Sequence, residues 1–469
     1  MTNRHADTEY SKVSTFIANQ GIEYVSVMGV DLHGYPRGKK LSASAFTANP
    51  QNPLTLSTLF TMLDCGNYPI EPPLDSKHWW PSWANGYPDS RACVDPQTFR
   101  RVPWQENTGL VICEFEPVNS QYSLDFLPRN VLRKLEAQCL KLGFEPRVGL
   151  EIETSLFHQP NSEESPHYQS LQPLWNGLEA YLVTTLGKHH RALDYCITNL
   201  TAFGLVLDSW HSEAGPGQLE ISLMPNSAVE CADAAFLLKH AMKELAANQN
   251  LIASFMAQIF SNGFANGTHA NLSLWKDGRN AFHDLKSGTN ISTVMSHAAA
   301  GLIETMAEFS ILFAPTPNSH RRYRRYQWTG TQITWGVDNK SAALRAVTHD
   351  TQAARLEHRA PSADANPYLV LAACLAGMLY GIENQLEAPE LITGDAYAEP
   401  SVRSLDDDYE RAITRFANSA LANHYFGADF VRFYAHSRAA EWSLFKSNVA
   451  ATLGENVSEW EFQRYFELA

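Results

Sequence analysis

GLEIETSLF, from Gly149 to Phe157, sets Glu151 and Glu153 on one side of a period-two alternation and Leu150, Ile152 and Thr154 on the other. That is the pattern of a β-strand with one acidic face. Four further segments behave alike. GQLEISLMP, from Gly217, aligns Gln218, Glu220 and Ser222 against Leu219, Ile221 and Leu223, and THANLSLW, from Thr268, turns His269, Asn271 and Ser273 away from Leu272 and Leu274. ARLEHRAP, from Ala354, aligns Arg355, Glu357 and Arg359, and in SAALRAV, from Ser341, Arg345 follows three small or apolar residues. Any one of these segments alone reads as the wetted outer face of an antiparallel sheet. Together their charged groups are Glu, one His and Arg, with no Lys. This composition suits hard cations and phosphate, with carboxylates for Mg²⁺ or Mn²⁺ and Arg for phosphoryl oxygens and substrate carboxylates. Glu213, in the turn HSEAGPGQLE, adds a further acid. Glu151, Glu153, Glu213, Glu220, His269 and Glu357 suffice for two or three divalent ions, and so many carboxylates stay ionised in a cleft only with such compensation.

The rest of the chain bounds this reading. At 469 residues, 44% hydrophobic and 18% charged, it can build a large core and more than one domain. A net charge of -14 argues against a nucleic-acid surface. The dense basic cluster of Arg321, Arg322, Arg324 and Arg325 is sized for a small anion. Seven scattered cysteines without a CxxC pair read as reduced thiols, and the polar start MTNRHADTEYSK lacks a signal-peptide run, so the cytoplasm is expected and no membrane span is.

IEYVSVMGVDLHGYPRGKKLS reads as a strand, a turn around Asp31 to Gly34 and a second strand from near Lys39. The Pro- and Trp-rich stretch from Ile70 to Pro103 should be loop and short strand, and LVICEFE at Leu110 a strand. Helical spacing begins in DFLPRNVLRKLEAQCLKL at Asp125, which puts a domain boundary between residues 121 and 122. The longest helix is expected over Ser227 to Asn250, with Lys239 a solvated or interface side chain, and the chain after Asn366 is mostly helical. His189, His190, Trp79 and Trp80 read as loop or core residues.

With these segments in view, a family resemblance follows. VDLHG at Val30, DPQT at Asp95, GLEIE, HSEAGPGQLE, NGTHANLS at Asn266, APTPNS at Ala314, DNKSAALR at Asp338 and RLEHRAPSADANPYL at Arg355 stand in the order found in glutamine synthetases. The chain resembles that family over essentially its whole length. The resemblance implies an α+β fold, with a small N-terminal β-grasp domain (1–121) and a larger catalytic domain (122–469) whose curved antiparallel sheet forms an open barrel. It also implies a ring-shaped homo-oligomer with shared active sites, and ATP with Mg²⁺ or Mn²⁺ as cofactors. A carboxylate, expected to be the γ-carboxylate of glutamate, would be activated as an acyl phosphate and coupled to an amine. By family roles, Glu153, Glu213 and Glu220 would hold the metal near the reacting carboxylate, and Glu151, His269 and Glu357 the metal at the nucleotide phosphates. Arg345 would stabilise the transferring phosphoryl group, Arg322 and Arg359 would hold the acid, and Ser273 and Arg355 would lie along the nucleotide. Asp31, from a neighbouring subunit, would bind the amine and help deprotonate it.

The departures from the family are as informative as the matches. In the flap NSHRRYRRYQWTGTQ, Trp328 stands about where ammonia-using members carry a glutamate; an indole packs against a carbon substituent but does not bind ammonium as a carboxylate does. This resembles the branch that makes γ-glutamyl amides from polyamines, alkylamines or anilines. Lys340 stands for a usual arginine and Asn271 for the second His of an HxH pair, both at the nucleotide. Phe264 and Ala265 replace the Asn and Gly that help hold the amino-acid end of glutamate. GDAYAEP around Tyr397 does not resemble the adenylylation loop, so that regulation is not expected. Ammonia-using glutamine synthesis, an inactive structural or regulatory relative, and a phosphotransferase stay open as alternatives.

Overall fold

The computed structural model describes residues 3–72, 80–118, 122–160, 170–324, 328–405, 408–450, 454 and 456–469; Trp79 and Arg325 lie outside the described residues, as do residues 119–121 at the boundary read between 121 and 122. The fold is mixed α+β and built on two sheets. The first comprises β1 (Tyr24–Val30), β2 (Pro36–Ser42), β3 (Thr55–Ser57), β4 (Asp89–Val94), β5 (Arg100–Arg101) and β6 (Thr108–Pro117), in the order β2-β1-β6-β4-β3 with β5 on β6. β1 and β2 form a hairpin across the Asp31 turn, and β1 runs parallel to β6. The second strand thus starts earlier than Lys39. A helix, Asn3–Asn19, precedes the sheet and buries Val13 and Ile17.

The larger sheet holds the five polar-faced segments. Its strands are β7 (Glu145–His158), β8 (Leu207–Ser212), β9 (Gln218–Leu223), β10 (Leu251–Ser254), β11 (Thr268–Lys276), β12 (Arg279–Asn280), β13 (Gln332–Val337), β14 (Ala342–Val347) and β15 (Arg355–His358). They run in the order β13-β14-β15-β11-β7-β9-β8, with β10 on β7 and β12 on β11. Pairing is antiparallel except between β13 and β14. The sheet curves into a barrel left open between β13 and β8. β9 and most of β11 are buried on both faces, so the polar faces are not wetted outer surfaces: they look into a pocket.

Helices cover the apolar side. Ala228–Ala247 follows its N-cap Ser227, whose hydroxyl accepts from Glu230 N. Lys239 on this helix is a correction: its Nζ donates to Ala363 O at 2.9 Å and lies 5.3 Å from the Phe255 ring centre, and burial lowers its pKa to about 8. Pro367–Glu383 is buried almost all round and packs on Thr293–Thr305. A Cβ on Gly301 would lie 2.0 Å from Gly377 O, so only glycine permits this approach. Trp80 stacks on Phe433 in the core, with ring centres 4.5 Å apart. Among the described residues no helix is long and apolar enough to cross a membrane.

Arg129, in the first turn of helix Pro128–Lys141, joins the two sheets' surroundings. Its guanidinium donates to Asp233 Oδ1 at 2.9 Å, Asp233 Oδ2 at 2.8 Å, Glu114 Oε1 at 2.8 Å and Asp95 Oδ2 at 2.7 Å. Removing such a hub leaves the buried Asp233 without its counter-charge, with Tyr368 alone among the described residues still donating to it, while Glu114 keeps Arg133. Arg129→Ala is expected to cost about 3–5 kcal/mol, read by urea unfolding.

Candidate active site

Strand register brings the polar faces into one well. Glu151 lies opposite His269 on one side and Ser222 on the other, Glu153 lies opposite Glu220, and Arg345 opposite Glu357. Like charges directly across a ladder destabilise a sheet, so Glu153 facing Glu220 has a reason other than folding. The pocket has a volume of about 310 Å³, and its walls carry all six expected metal ligands together with Arg322, Arg345, Arg359, Phe264, Ala265, Trp328 and Lys340.

The acids form three overlapping groups: Glu151–His269–Glu357, Glu153–Glu220–His269 and His211–Glu213–Glu220, each with ligand atoms within 4.8 Å of one another. Hard oxygens with one imidazole per group, at that spacing, fit Mg²⁺ or Mn²⁺. The electrostatics points the same way. Burial would raise the Glu357 carboxyl, but Arg359, His269 and Arg345 hold it at about 2. Burial likewise opposes Glu151 and Glu213, yet the bond to His269 brings Glu151 below its ordinary value and the bond to His211 does so for Glu213. Glu220 goes the other way: burial, then Glu153, Glu151, Glu213 and Glu357, push its pKa well up. The arginines bond on the β14–β15 side, and Glu220 on β9 is left with too much negative charge around it. A divalent cation held there would supply the missing positive charge. Saturating metal-stripped protein with Mg²⁺ or Mn²⁺ is expected to stabilise it by about 2.7 kcal/mol at a hundredfold excess over Kd, seen as a raised melting temperature.

The arginines are set for an anion. Arg345 donates to Glu357 Oε2 and to Asp338 Oδ1, both at 3.0 Å. Arg359 donates to Glu357 Oε1 and, at 3.1 Å, to Trp328 O. Arg322 donates from Nη1 to Ala360 O at 2.8 Å and Pro361 O at 3.0 Å. Among the described residues the Nε of all three is buried without a hydrogen-bond partner, and the guanidinium groups line the pocket beside the acids, an arrangement that suits a carboxylate or phosphate.

Beyond the pocket the polar face continues along β11. Asn271 Nδ2 donates to Glu151 Oε1 at 2.9 Å, Arg355 Nε donates to Asn271 Oδ1 at 2.8 Å, and Ser273 Oγ donates to Arg147 O at 2.9 Å. These residues form a strip leading away from the acids and do not line the pocket itself. Trp328 stands at the rim, 57% exposed, with a left-handed φ of 58°. Gln218 Nε2 bridges Glu153 Oε2 at 2.9 Å and Ala265 O at 3.0 Å, which ties the Phe264–Ala265 loop to the acids.

One expectation comes out differently. The basic cluster does not act as one: Arg321 turns to Glu461 and Arg324 donates to Ser261 O, so of the described members Arg322 alone faces the pocket. Adjacent side chains on a turn diverge, which a count of charges does not register. Asp31 does not join this chain's pocket. It is 1% exposed in the β1–β2 turn, with Oδ1 accepting from His33 N and Tyr35 N at 2.9 Å and Oδ2 from Arg37 Nε at 2.7 Å.

Two groups were missed. His211 Nε2 lies 2.8 Å from Glu213 Oε1 and 3.8 Å from Glu220 Oε1. Its signal was the i, i+2 spacing of His211 and Glu213. Tyr181 stacks on His211 with ring centres 4.6 Å apart, and Lys340 Nζ approaches that ring to 6.0 Å. Tyr181 has a left-handed φ of 59° in a loop without periodicity, and nothing in the sequence marked it.

Residues 125–465 match the model of the glutamine synthetase catalytic domain. The glutamate–isopropylamine ligase of Pseudomonas sp is 32% identical over 466 residues, 97% of this chain and 98% of that protein. Type-1 glutamine synthetase 2 of Dictyostelium discoideum is 31% identical over 453 residues, 95% of this chain and 84% of that protein. The solved GmaS/ADP complex shares the fold, with a TM-score of 0.78 at 23% identity over 96% of this chain and 98% of that one. With the acid well, the orphaned arginine donors and these relationships together, the chain belongs to the glutamine synthetase family of ATP- and divalent-metal-dependent carbon–nitrogen ligases.

Proposed function

We propose that this protein phosphorylates the γ-carboxylate of glutamate with ATP and couples it to an organic amine, giving a γ-glutamyl amide. The observation that carries the ligase chemistry is the acid well facing Arg322, Arg345 and Arg359 across one pocket. When bound, Mg²⁺-ATP supplies the phosphoryl group and the ions screen its charge.

Glu153, Glu213 and Glu220 hold one ion and Glu151, His269 and Glu357 the other, with His211 a further ligand beside Glu213. Arg345 faces the transferring phosphoryl oxygens, and Arg322 and Arg359 hold the acid's carboxylate ends. Phe264 and Ala265 line the acid's other end. Asn271, Ser273, Lys340 and Arg355 follow the nucleotide. Trp328 closes the amine side with an apolar ring, and a relative that acts on isopropylamine supports a carbon-bearing amine. Asp31 serves a neighbouring copy's amine site in a ring assembly, and the catalytic unit comprises residues 122–469 behind an N-terminal unit of 1–121.

The test is product identity. With Mg²⁺-ATP, glutamate and isopropylamine or ethanolamine, one amide should form per ADP and phosphate released. A stable phosphorylated acid without amide would mark a phosphotransferase, and amide from ammonium alone would mark a glutamine synthetase.

A further inference from the structure

The APTPNS motif at Ala314 has no part in the chemistry above, yet it builds the turn from which Arg322 springs. Pro317–His320 is a single helical turn capped by Thr316, whose hydroxyl accepts from Ser319 N at 3.0 Å. Buried carboxylates from distant segments hold both ends. Asp364 accepts from Thr316 Oγ1 at 2.8 Å and from Ser319 Oγ at 3.0 Å. At the other end Glu461, 0% exposed, accepts from Arg321 Nε at 2.7 Å, Arg321 Nη2 at 3.0 Å and Asn318 Nδ2 at 3.2 Å. Glu461 is fixed in turn by a capping box with Ser458 at the start of helix Glu459–Tyr465.

Arg321 and Arg322 leave this turn in different directions. Arg321 is held by Glu461 through Nε and Nη2 and by Gly454 O through Nη1 at 3.0 Å, whereas Arg322, 2% exposed, enters the pocket wall. The space there is narrow: a Cβ on Gly267 would lie 2.5 Å from Arg322 Nη2, and two carbonyls hold Nη1. A guanidinium so confined has one productive position, and a tilt of the turn moves it.

We propose that Glu461 is a positioning residue for the acid substrate: its two-point pair with Arg321 fixes the depth at which Arg322 reaches the pocket. The proposal rests on the reading of Arg322 as a carboxylate-binding group. A forked Arg–carboxylate pair is suited to this because it sets orientation as well as distance, and a buried pair of this kind is weak evidence of added stability.

The test measures kcat, the KM of each substrate and the melting temperature of the full chain for Glu461→Gln, Arg321→Lys, their combination and Arg322→Lys. Glu461→Gln is expected to raise the KM for the acid about tenfold and leave that for ATP within about twofold, since displacements of about 1 Å at a binding group have effects of up to about 100-fold. Arg321→Lys keeps the charge but loses the fork and raises the acid KM less, and the double variant goes no further than Glu461→Gln alone. Should Glu461→Gln not fold, Glu461→Asp retains the charge at shorter reach, with about a threefold rise expected. A lowered melting temperature with an unchanged acid KM would make the pair merely structural and overturn the proposal. If Arg322→Lys raises the acid KM and the Glu461 variants do not, the positioning role alone fails. If Arg322→Lys also leaves it unchanged, the acid-site reading of Arg322 fails and the proposal goes with it.

Discussion

Glu220→Gln is expected to change this protein in two opposite ways, raising the melting temperature of the metal-free chain while removing almost all turnover. Glu220 stands across the ladder from Glu153 and is raised by burial and by Glu153, Glu151, Glu213 and Glu357. An amide of the same shape removes that repulsion, a gain on the order of 1 kcal/mol. The same change deletes a ligand shared by two of the three metal-capable groups, and loss of electrostatic stabilisation at the reacting centre costs about 10² to 10³ in rate. The melting temperature of the metal-free proteins and the metal-induced rise in each decide the matter. If Glu220→Gln destabilises the metal-free chain, Glu220 is compensated by the fold itself, and the case for an ion at that position weakens.

Trp328 carries the second large effect. Its carbonyl accepts from Arg359 Nη2 at 3.1 Å and its φ is 58°, so the backbone is pinned to Arg359 in the pocket wall while the indole stands at the rim. Trp328→Gly suits that left-handed backbone and deletes the ring. It is expected to lower kcat/KM for an alkylamine about tenfold or more through lost apolar and aromatic contact, with ammonium little changed. Trp328→Glu restores a carboxylate at the rim and is expected to shift preference toward ammonium. Equal losses for both amines in Trp328→Gly would place the indole in loop packing instead of amine choice.

The alternation in GLEIETSLF, GQLEISLMP and THANLSLW made the acid faces legible because a strand has period two. Which acids oppose each other was not legible, since the Glu153–Glu220 register depends on how β7 and β9, distant in sequence, pair with each other. Family motifs pointed to the same six residues that the register gathers in the pocket. His211 escaped because HSE was read as a turn entering β9, whereas it ends its own strand, β8. Lys239 was misjudged because its helix is apolar nearly all round, and helical spacing does not say which carbonyl will pack against a long side chain. Neither the left-handed Tyr181 loop nor the anchoring of Arg321 by Glu461, 140 residues away, has a local pattern to read.

The measurement closest to the central claim is kcat/KM for a panel of organic amines, isopropylamine, ethanolamine and putrescine among them, against ammonium, at saturating Mg²⁺-ATP and glutamate, with the amide identified by mass. The account predicts turnover with at least one organic amine well above that with ammonium and a γ-glutamyl amide as product. Glutamine formation from ammonium exceeding every organic amine would contradict it and return the chain to plain glutamine synthesis.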